Sequence, residues 1–297
     1  MERIVYANNL TKKYKYNYAL QDFNITINKG DIYGLIGVNG AGKSTLIKII
    51  AGITDQTSGD LTLFDNQYSL MQARSKIGAI IENPSFYPNL SAAENLIYYA
   101  TVIGIKDKQI ITDLLLKVKL DPTSKQPFKQ FSLGMKQRLG IAFALLNNPE
   151  FIILDEPTNG LDPVGILELR DVITTLNKQG VTFLICSHIL SELSQIATKY
   201  GIVHKGKFIK EFTNEDISAL KHDTVTIRVV NAKHLEASLN ELGYAYIIKD
   251  GYFMVTIDGI DTFVKQLVAK DVEFISITQR QTSLEDIFLN SIKEDQE

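Results

Sequence analysis

Short, fully apolar runs alternate with longer amphipathic stretches over the first two thirds of the chain. The runs at residues 31–36, 151–154 and 181–186 contain almost no polar side chains, which is typical of strands buried on both faces. Residues 46–51 and 164–178 carry apolar positions at helical spacing. Because buried strands alternate with helices, the pattern predicts an α/β domain built on a parallel sheet.

The remainder of this region divides into a strand-rich part and a helical part. Further strands are expected within residues 1–35 and near 60–64 and 77–81, and helices within 90–147. The helical part begins with a capping signal, since Ser91 is followed three residues later by Glu94. The strand at 181–186 is expected to be the last strand of the core.

The hydrophobic pattern changes near Thr213, which predicts two domains, residues 1–212 and 213–297. In the second domain the elements are expected in the order strand, helix, strand, strand, helix, strand, at 224–230, 233–242, 245–249, 252–257, 261–269 and 272–278. The Asp250–Gly251 pair suits a type I′ turn between the two middle strands. This order predicts a small α+β unit of the split βαβ, or ferredoxin-like, type.

Composition excludes several function classes. The chain of 297 residues is 45% apolar and 22% charged, as in ordinary soluble globular proteins. Its net charge of −3 gives no basic footprint, so no nucleic-acid partner is expected. The single Cys186 cannot form an intrachain disulfide and is expected to be a core thiol in a reducing cytoplasm. No apolar run approaches the ~20 residues of a membrane span, so action at a membrane would require other polypeptides.

Residues Gly37 to Thr45 fit G-x-x-x-x-G-K-[ST], the phosphate-binding loop of nucleotide hydrolases. The loop joins a predicted strand to a predicted helix, so backbone N–H groups and the helix N-terminus would face phosphate oxygens. Lys43 would bridge the β- and γ-phosphates, and the Ser44 hydroxyl would bind Mg²⁺. The nucleotide-binding residues expected from the loop are Gly37, Asn39, Gly40, Ala41, Gly42, Lys43, Ser44 and Thr45.

A second motif, an acidic pair, follows the strand at 151–154. Asp155 and Glu156 would reach the carboxyl edge of the sheet, where ligands bind in α/β folds. Asp155 is then expected in the Mg²⁺ shell, and Glu156 is expected to be the general base that activates water. A strand followed by an acidic turn is the alternative interpretation of this motif alone.

The segment Phe131–Arg138 resembles the signature motif of ATP-binding cassette (ABC) ATPases. In that family the segment lies on a helical subdomain, here about residues 88–147, and binds the γ-phosphate of ATP held by the opposite subunit. Leu133 and Met135 depart from the common Leu-Ser-Gly-Gly-Gln form. The resemblance therefore assigns this role to Ser132 and Gly134 alone, whose hydroxyl and N–H groups can donate.

Other features of the ABC family follow in order within residues 1 to about 212. Asp162 resembles the D-loop aspartate that crosses the dimer interface, and His188 resembles the switch histidine that reaches the γ-phosphate. Tyr14 resembles the aromatic residue that stacks on adenine. Tyr16 and Tyr18 are expected to share its strand face at period two, so the stacking residue could be one of them.

Glu82 occupies the position where ABC ATPases usually carry a glutamine that contacts Mg²⁺ and water and senses the membrane subunit. As a carboxylate it would be a harder Mg²⁺ ligand and would raise the pKa of at least one neighbouring acid. A glutamate here resembles the variant in transporters for lantibiotics and bacitracin-like peptides. The alternative is that the glutamate arose by drift at the position that senses the membrane subunit, with no bearing on the substrate.

The resemblance implies a P-loop ABC ATPase fold, with a RecA-like core, an antiparallel β subdomain and a helical subdomain, followed by the small α+β domain. It also implies an ATP- and Mg²⁺-dependent ATPase that acts as a homodimer with separate membrane permease subunits, peripheral on the inner face of the cell membrane.

A non-transport ABC ATPase acting on ribosomes or DNA is the alternative, although such chains usually carry two cassettes or a coiled-coil insertion. A nucleotide sensor without turnover is opposed by Glu156 and His188. The tail at residues 283–289 resembles the extension of drug-export ATPases, with a docking or a regulatory role.

Overall fold

The computed structural model describes residues 2–82, 85–220, 223–249, 251–257, 259–281 and 284–294. The chain divides into two compact units, Met1–Phe212 and Thr213–Glu297. Strands of the first unit are β1 (Arg3–Tyr14), β2 (Asn17–Asn28), β3 (Ile32–Ile36), β4 (Ser58–Leu63), β5 (Ile77–Ile80), β6 (Phe151–Asp155), β7 (Thr182–Ser187), β8 (Lys199–His204) and β9 (Lys207–Thr213). Its helices are α1 (Lys43–Ile50), α2 (Leu70–Ser75), α3 (Ala92–Val102), α4 (Lys108–Lys117), α5 (Leu133–Ala144), α6 (Pro163–Lys178) and α7 (Leu190–Leu193).

A six-stranded sheet in the order β5–β6–β7–β3–β8–β9 forms the centre of the first unit. The first five strands in this order, from β5 to β8, pair in parallel with one another. Every residue of β3 and β7 is buried, which explains why these segments appear in the sequence as continuous apolar runs. The predicted parallel sheet is therefore confirmed.

The assumption that β7 is the last core strand is wrong, because β8 follows it and pairs with β3. The sequence hides β8 because Gly201 interrupts its apolar run. A Cβ atom at Gly201 would lie 2.6 Å from the hydroxyl oxygen of Tyr33, so the close packing of the two strands requires glycine there.

A second, antiparallel sheet has the order β2–β1–β4. The expected shared face of the three tyrosines is contradicted by the hairpin between β1 and β2. Tyr14 pairs with Asn17 and Tyr18 pairs with Lys13, so these two tyrosines lie on opposite faces. Tyr16 lies in the turn, beside Lys15 with its positive φ of 52°. The turn breaks the period of two that the sequence suggested.

The helical part contains α3, α4 and α5. Its predicted capping box is confirmed: the Ser91 Oγ accepts from the Glu94 N–H at 3.3 Å, and Glu94 Oε2 accepts from the Ser91 N–H at 2.8 Å. Donation from the Ser91 N–H, and then from the Ser91 hydroxyl, to the carboxylate holds the pKa of Glu94 below its ordinary value. Within the described ranges, no helix has the length and apolar character needed to cross a membrane.

The second unit contains a four-stranded antiparallel sheet in the order β11–β12–β10–β13. Its strands are β10 (Asp223–Val229), β11 (Tyr246–Lys249), β12 (Tyr252–Ile257) and β13 (Phe274–Gln281), and its helices are α8 (Asn214–Leu220), α9 (Ala232–Leu242), α10 (Ile260–Val268) and α11 (Leu284–Glu294). Residues of α9 and α10, such as Leu239 and Phe263, pack with Ile227 and Val255 of the sheet. Asp250 of the expected hairpin turn and Ser283 of the tail lie outside the described residues.

Cys186 is completely buried in the core of the first unit, as expected for a packing thiol. Burial raises the pKa of its thiol well above the ordinary value, because the thiolate would lose its hydration. The thiol is therefore kept in its unreactive, protonated form.

We expect Ser91→Ala to lower the free energy of unfolding by about 1 kcal/mol, because the substitution removes the side-chain acceptor at the N-terminus of α3. Urea denaturation measures the change. Ser91→Thr retains a hydroxyl at the cap and should lose less stability. Equal losses in the two variants would contradict a capping role for Ser91.

Candidate nucleotide site

The phosphate loop runs from the end of β3 into α1, and Gly42 caps the helix. Gly42 has a φ of 114°, and a Cβ atom there would lie 2.7 Å from the Ala19 carbonyl oxygen. No other residue type fits this backbone without movement of the strand behind it. The turn directs the positive N-terminal end of α1 at the space in front of the loop.

A cleft of about 200 Å³ opens in front of this loop. It is lined by Ala19, Val38, Asn39, Gly40, Ala41, Gly42, Lys43, Ser44, Thr45, Asp155 and Glu156. The structure therefore brings together the loop and the two acidic residues that the sequence separates by more than a hundred positions. Sequence reasoning missed Ala19 and Val38, since neither occupies a fixed position of a motif.

Lys43 and Glu156 form the charged centre of the cleft. The buried Lys43 Nζ donates to the Gly37 carbonyl at 2.7 Å and lies 3.3 Å from Glu156 Oε1. Glu156 Oε2 is 2.8 Å from His188 Nδ1 and accepts from the His188 backbone N–H at 3.3 Å. Glu156 is thus held between the loop lysine and the predicted switch histidine.

The other oxygen of Glu156 has spare acceptor capacity. Oε1 is buried and accepts no hydrogen bond from the described residues, so its contact with Lys43 is ionic only. A buried carboxylate oxygen without a donor is suited to accept a proton from water. Glu156 also has a φ of 48°, and such left-handed backbone at a non-glycine residue is concentrated at functional sites.

Ser44 and Asp155 are the residues that fit a magnesium ion. The Ser44 hydroxyl donates to Asp155 Oδ2 at 3.2 Å, which places two hard oxygen ligands side by side. The described residues contain no cluster of three or more His, Cys, Asp or Glu suited to a metal. Mg²⁺ typically takes one or two protein ligands together with phosphate and water oxygens.

Burial raises the pKa of Asp155, and the neighbouring charge of Glu156 raises it further. Glu82, which we expected to have such an effect, is not among the causes of this shift. Glu82 lies just beyond β5, its side chain is 76% exposed, and its Oε1 is 3.4 Å from Lys48 Nζ. The structure thus pairs Glu82 with Lys48, and Glu82 does not line the cleft that contains Ser44 and Asp155, so its role as a magnesium ligand stays a prediction.

The signature and D-loop residues lie at the beginnings of two adjacent helices. Ser132 caps α5, and its Oγ accepts from the Met135 N–H at 3.2 Å. Asp162 caps α6 by accepting from the Gly165 N–H at 3.0 Å. Gly134 lies against Gly165, since a Cβ on Gly134 would be 3.5 Å from the Gly165 Cα. Ser132, Gly134 and Asp162 do not line the cleft, so the structure of one chain does not bring them to the phosphate loop.

Tyr14 lies at the end of β1 and is 49% exposed. The Lys12 Nζ lies 5.0 Å from the centre of its ring, a cation–π contact. Tyr14 does not line the cleft, whereas Ala19 on the paired strand does. Adenine stacking on Tyr14 therefore stays a prediction.

Comparison with known proteins identifies relatives over nearly the whole chain. The family model described as ABC transporter matches residues 20–159. The bacitracin transport ATP-binding protein BcrA of Bacillus licheniformis is 39% identical, over 98% of this chain and 98% of its own length. The lantibiotic transport ATP-binding protein SrtF of Streptococcus pyogenes is 49% identical, over 68% of this chain and 88% of its own length.

Solved structures that resemble this chain include ATP-binding cassettes of ABC transporters. One is the dimeric, post-hydrolysis ATP-binding cassette MJ0796 bound to ADP and Pi, which is 26% identical with a TM-score of 0.61. It covers 70% of this chain and 98% of its own. The ABC ATPase cassette fold expected from the motifs is confirmed by these neighbours.

We expect Lys43→Ala to weaken ATP binding by about 10- to 100-fold, because a charge-assisted contact to phosphate is lost. Equilibrium titration with a fluorescent ATP analogue measures the affinity. Lys48→Ala, one turn further along α1, is the control and should retain affinity within a few fold. Tight binding by the Lys43 variant would contradict the assignment of the phosphate loop.

Proposed function

This chain belongs to the ABC transporter family, and we propose that it is the ATP-hydrolysing subunit of an exporter for peptide antibiotics of the bacitracin or lantibiotic type. The observation that carries the hydrolytic part is the position of Glu156. Its carboxylate faces the phosphate-loop cleft, contacts Lys43 and His188, and keeps one buried oxygen that accepts no hydrogen bond within the described part of the chain.

Each residue of the cleft has a separate task in this proposal. The loop N–H groups and Lys43 bind the β- and γ-phosphates of ATP and stabilise the negative charge that develops during transfer. Glu156 Oε1 accepts a proton from the attacking water as the oxygen bonds to the γ-phosphorus and the bond to ADP breaks. His188, in contact with the other oxygen, orients the Glu156 carboxylate.

Mg²⁺ fits the same cleft, with Ser44 and Asp155 as its protein ligands. When bound, the ion neutralises charge on the β- and γ-phosphate oxygens. The raised pKa of Asp155 implies that binding of the cation displaces a proton at low pH. Glu82, exposed and paired with Lys48, would have to leave that ion pair to become a third ligand.

Two copies of the chain would enclose two ATP molecules at their interface. Ser132, Gly134 and Asp162 are at helix N-termini outside the chain's own cleft, so a second copy is the natural source of their partners. The resemblance to a dimeric cassette bound to ADP and Pi supports this arrangement. ATP would then favour the joined state and hydrolysis the separated state.

Separate membrane subunits would carry the cargo, with this chain peripheral on the inner face of the cell membrane. A second cleft of about 200 Å³, lined by Phe86, Tyr99 and Phe143 next to the end of β5, is the surface we assign to them. Phe86 follows Glu82 closely in the chain, and the ion pair of Glu82 with Lys48 of α1 links this cleft to the helix that begins at the phosphate loop. The names of BcrA and SrtF support bacitracin-like or lantibiotic cargo.

We expect Glu156→Gln to lower ATP turnover by ~10²–10⁴-fold, because the amide cannot accept the proton of water. ATP-driven dimerisation should persist, because the phosphate contacts remain. Phosphate release and size-exclusion chromatography measure the two properties. Glu150→Gln, at the other end of β6, should leave turnover unchanged. Unchanged turnover in the Glu156 variant would rule out Glu156 as the base.

Co-purification tests the transport part of the proposal. With ATP, the Glu156→Gln protein is expected to retain a multi-span membrane protein from detergent-solubilised cells, because the joined state persists. The double variant Lys43→Ala/Glu156→Gln is the control, since it should not reach the ATP-bound state. Retention of ribosomal proteins or DNA instead would contradict the exporter and favour an ABC ATPase without transport.

A further inference from the structure

The β8–β9 hairpin lies directly behind the phosphate loop, although none of the nucleotide motifs includes it. Its turn, Lys205–Gly206, follows β8, the strand next to β3. The Gly206 N–H donates to the Ala41 carbonyl at 2.8 Å, and the Gly206 carbonyl accepts from the Gln21 N–H at 2.8 Å. One turn residue thus connects the phosphate loop to β2, the strand that carries Ala19.

The contact with Ala41 fixes the direction of the next peptide group. A trans peptide unit is planar, so its C=O and N–H groups point in opposite directions. Because Gly206 holds the Ala41 carbonyl behind the loop, the Gly42 N–H of the same peptide unit is directed to the opposite side, towards the cleft. A carbonyl turned into the cleft would instead repel phosphate oxygens.

The packing around this contact leaves little room for adjustment. Gly206 has a φ of 80°, and a Cβ atom on it would lie 2.9 Å from the Ala19 carbonyl oxygen. A Cβ on Gly42 would lie 3.4 Å from the Gly206 Cα, and one on Gly37 would lie 2.6 Å from the Val203 carbonyl oxygen. The loop therefore rests on the backbone of the hairpin at both of its glycine ends.

The hairpin itself is anchored on both strands. Glu211 of β9 accepts from the buried Tyr33 hydroxyl at 2.7 Å and forms an ion pair with Lys199 of β8 at 2.6 Å. The Phe208 ring packs edge-on against Phe23 of β2, with ring centres 5.5 Å apart. Side-chain contacts therefore anchor the hairpin to β3 and β2, in addition to the backbone hydrogen bonds of its turn.

We propose that the β8–β9 turn is a positioning element for phosphate binding, in which the Gly206 N–H orients the Gly42 N–H towards the nucleotide. Gly206 touches no ligand in this arrangement and acts through Ala41. The proposal rests on the proposed function only in taking ATP as the ligand of the cleft. It adds a determinant of affinity outside the nucleotide motifs.

Gly206→Ala tests the proposal, with Gly30→Ala as a matched control. Both glycines follow a lysine in a turn between strands and have similar positive φ, 80° and 87°, but a Cβ on Gly30 meets no atom within 4 Å. Backbone strain is therefore common to the two variants, and displacement of the turn is specific to Gly206. We expect Gly206→Ala to raise the Kd and KM for ATP about 10- to 100-fold, with kcat at saturation changed by less than about threefold.

Gly30→Ala should lose about as much Tm as Gly206→Ala but should keep the ATP affinity of the wild type. Equal ATP affinity in the two variants, both folded by circular dichroism, would overturn the positioning role. Absence of ATP binding by the wild type would instead refute the proposed function, so the two failures are distinguishable.

Amide hydrogen exchange of the wild type provides a second measurement that does not depend on the folding of a variant. On addition of ADP, exchange at the Gly206 amide should slow together with that of the phosphate-loop amides, because the two share the Ala41 contact. The Gly180 amide, at the end of α6, is the internal reference and should not change. Slowing in the loop without slowing at Gly206 would contradict the proposal.

Discussion

The turn from β3 into α1 at Gly42 is the constraint on which the rest of this structure depends. Its left-handed backbone is compatible only with glycine, and the space behind it is filled by Ala19 and Leu20 of β2. The turn therefore fixes the position of α1 relative to both sheets of the first unit. The same geometry directs the N-terminus of α1 into the cleft, so one constraint of the fold also shapes the site that we propose for phosphate.

Charge balance in the cleft follows from this arrangement. Lys43 is buried, and its ammonium group is compensated by the Gly37 carbonyl and by Glu156, which reaches it from the end of β6. His188, just after β7, holds the other Glu156 oxygen. Because β3, β7 and β6 are successive neighbours in a parallel sheet, their carboxyl ends bring the lysine, the histidine and the glutamate together.

Ser132 and Asp162, which resemble residues that act across a dimer, lie outside the cleft. Ser132 and Asp162 begin α5 and α6, which are kept close by the contact between Gly134 and Gly165. Arg138 reinforces this pair of helices through its 3.1 Å ion pair with Glu168 of α6. Ser132 and Asp162 are thereby held close together within one chain, and under the proposed function a second copy would bring them to a phosphate loop.

The sequence by itself determined the motifs and the core strands, because a phosphate loop needs fixed residue types and a strand buried on both faces needs continuous apolar residues. The sequence was less informative where the position or role of a residue depends on contacts with residues that are distant in the chain. Gly201 interrupts the apolar run of β8, so the sequence pattern did not reveal this strand. The turn at Lys15 prevents the three tyrosines from sharing one strand face, and Glu82 forms an ion pair with Lys48. Only the tertiary structure placed Gly206 behind Ala41, because a backbone hydrogen bond between distant residues leaves no pattern in the side chains.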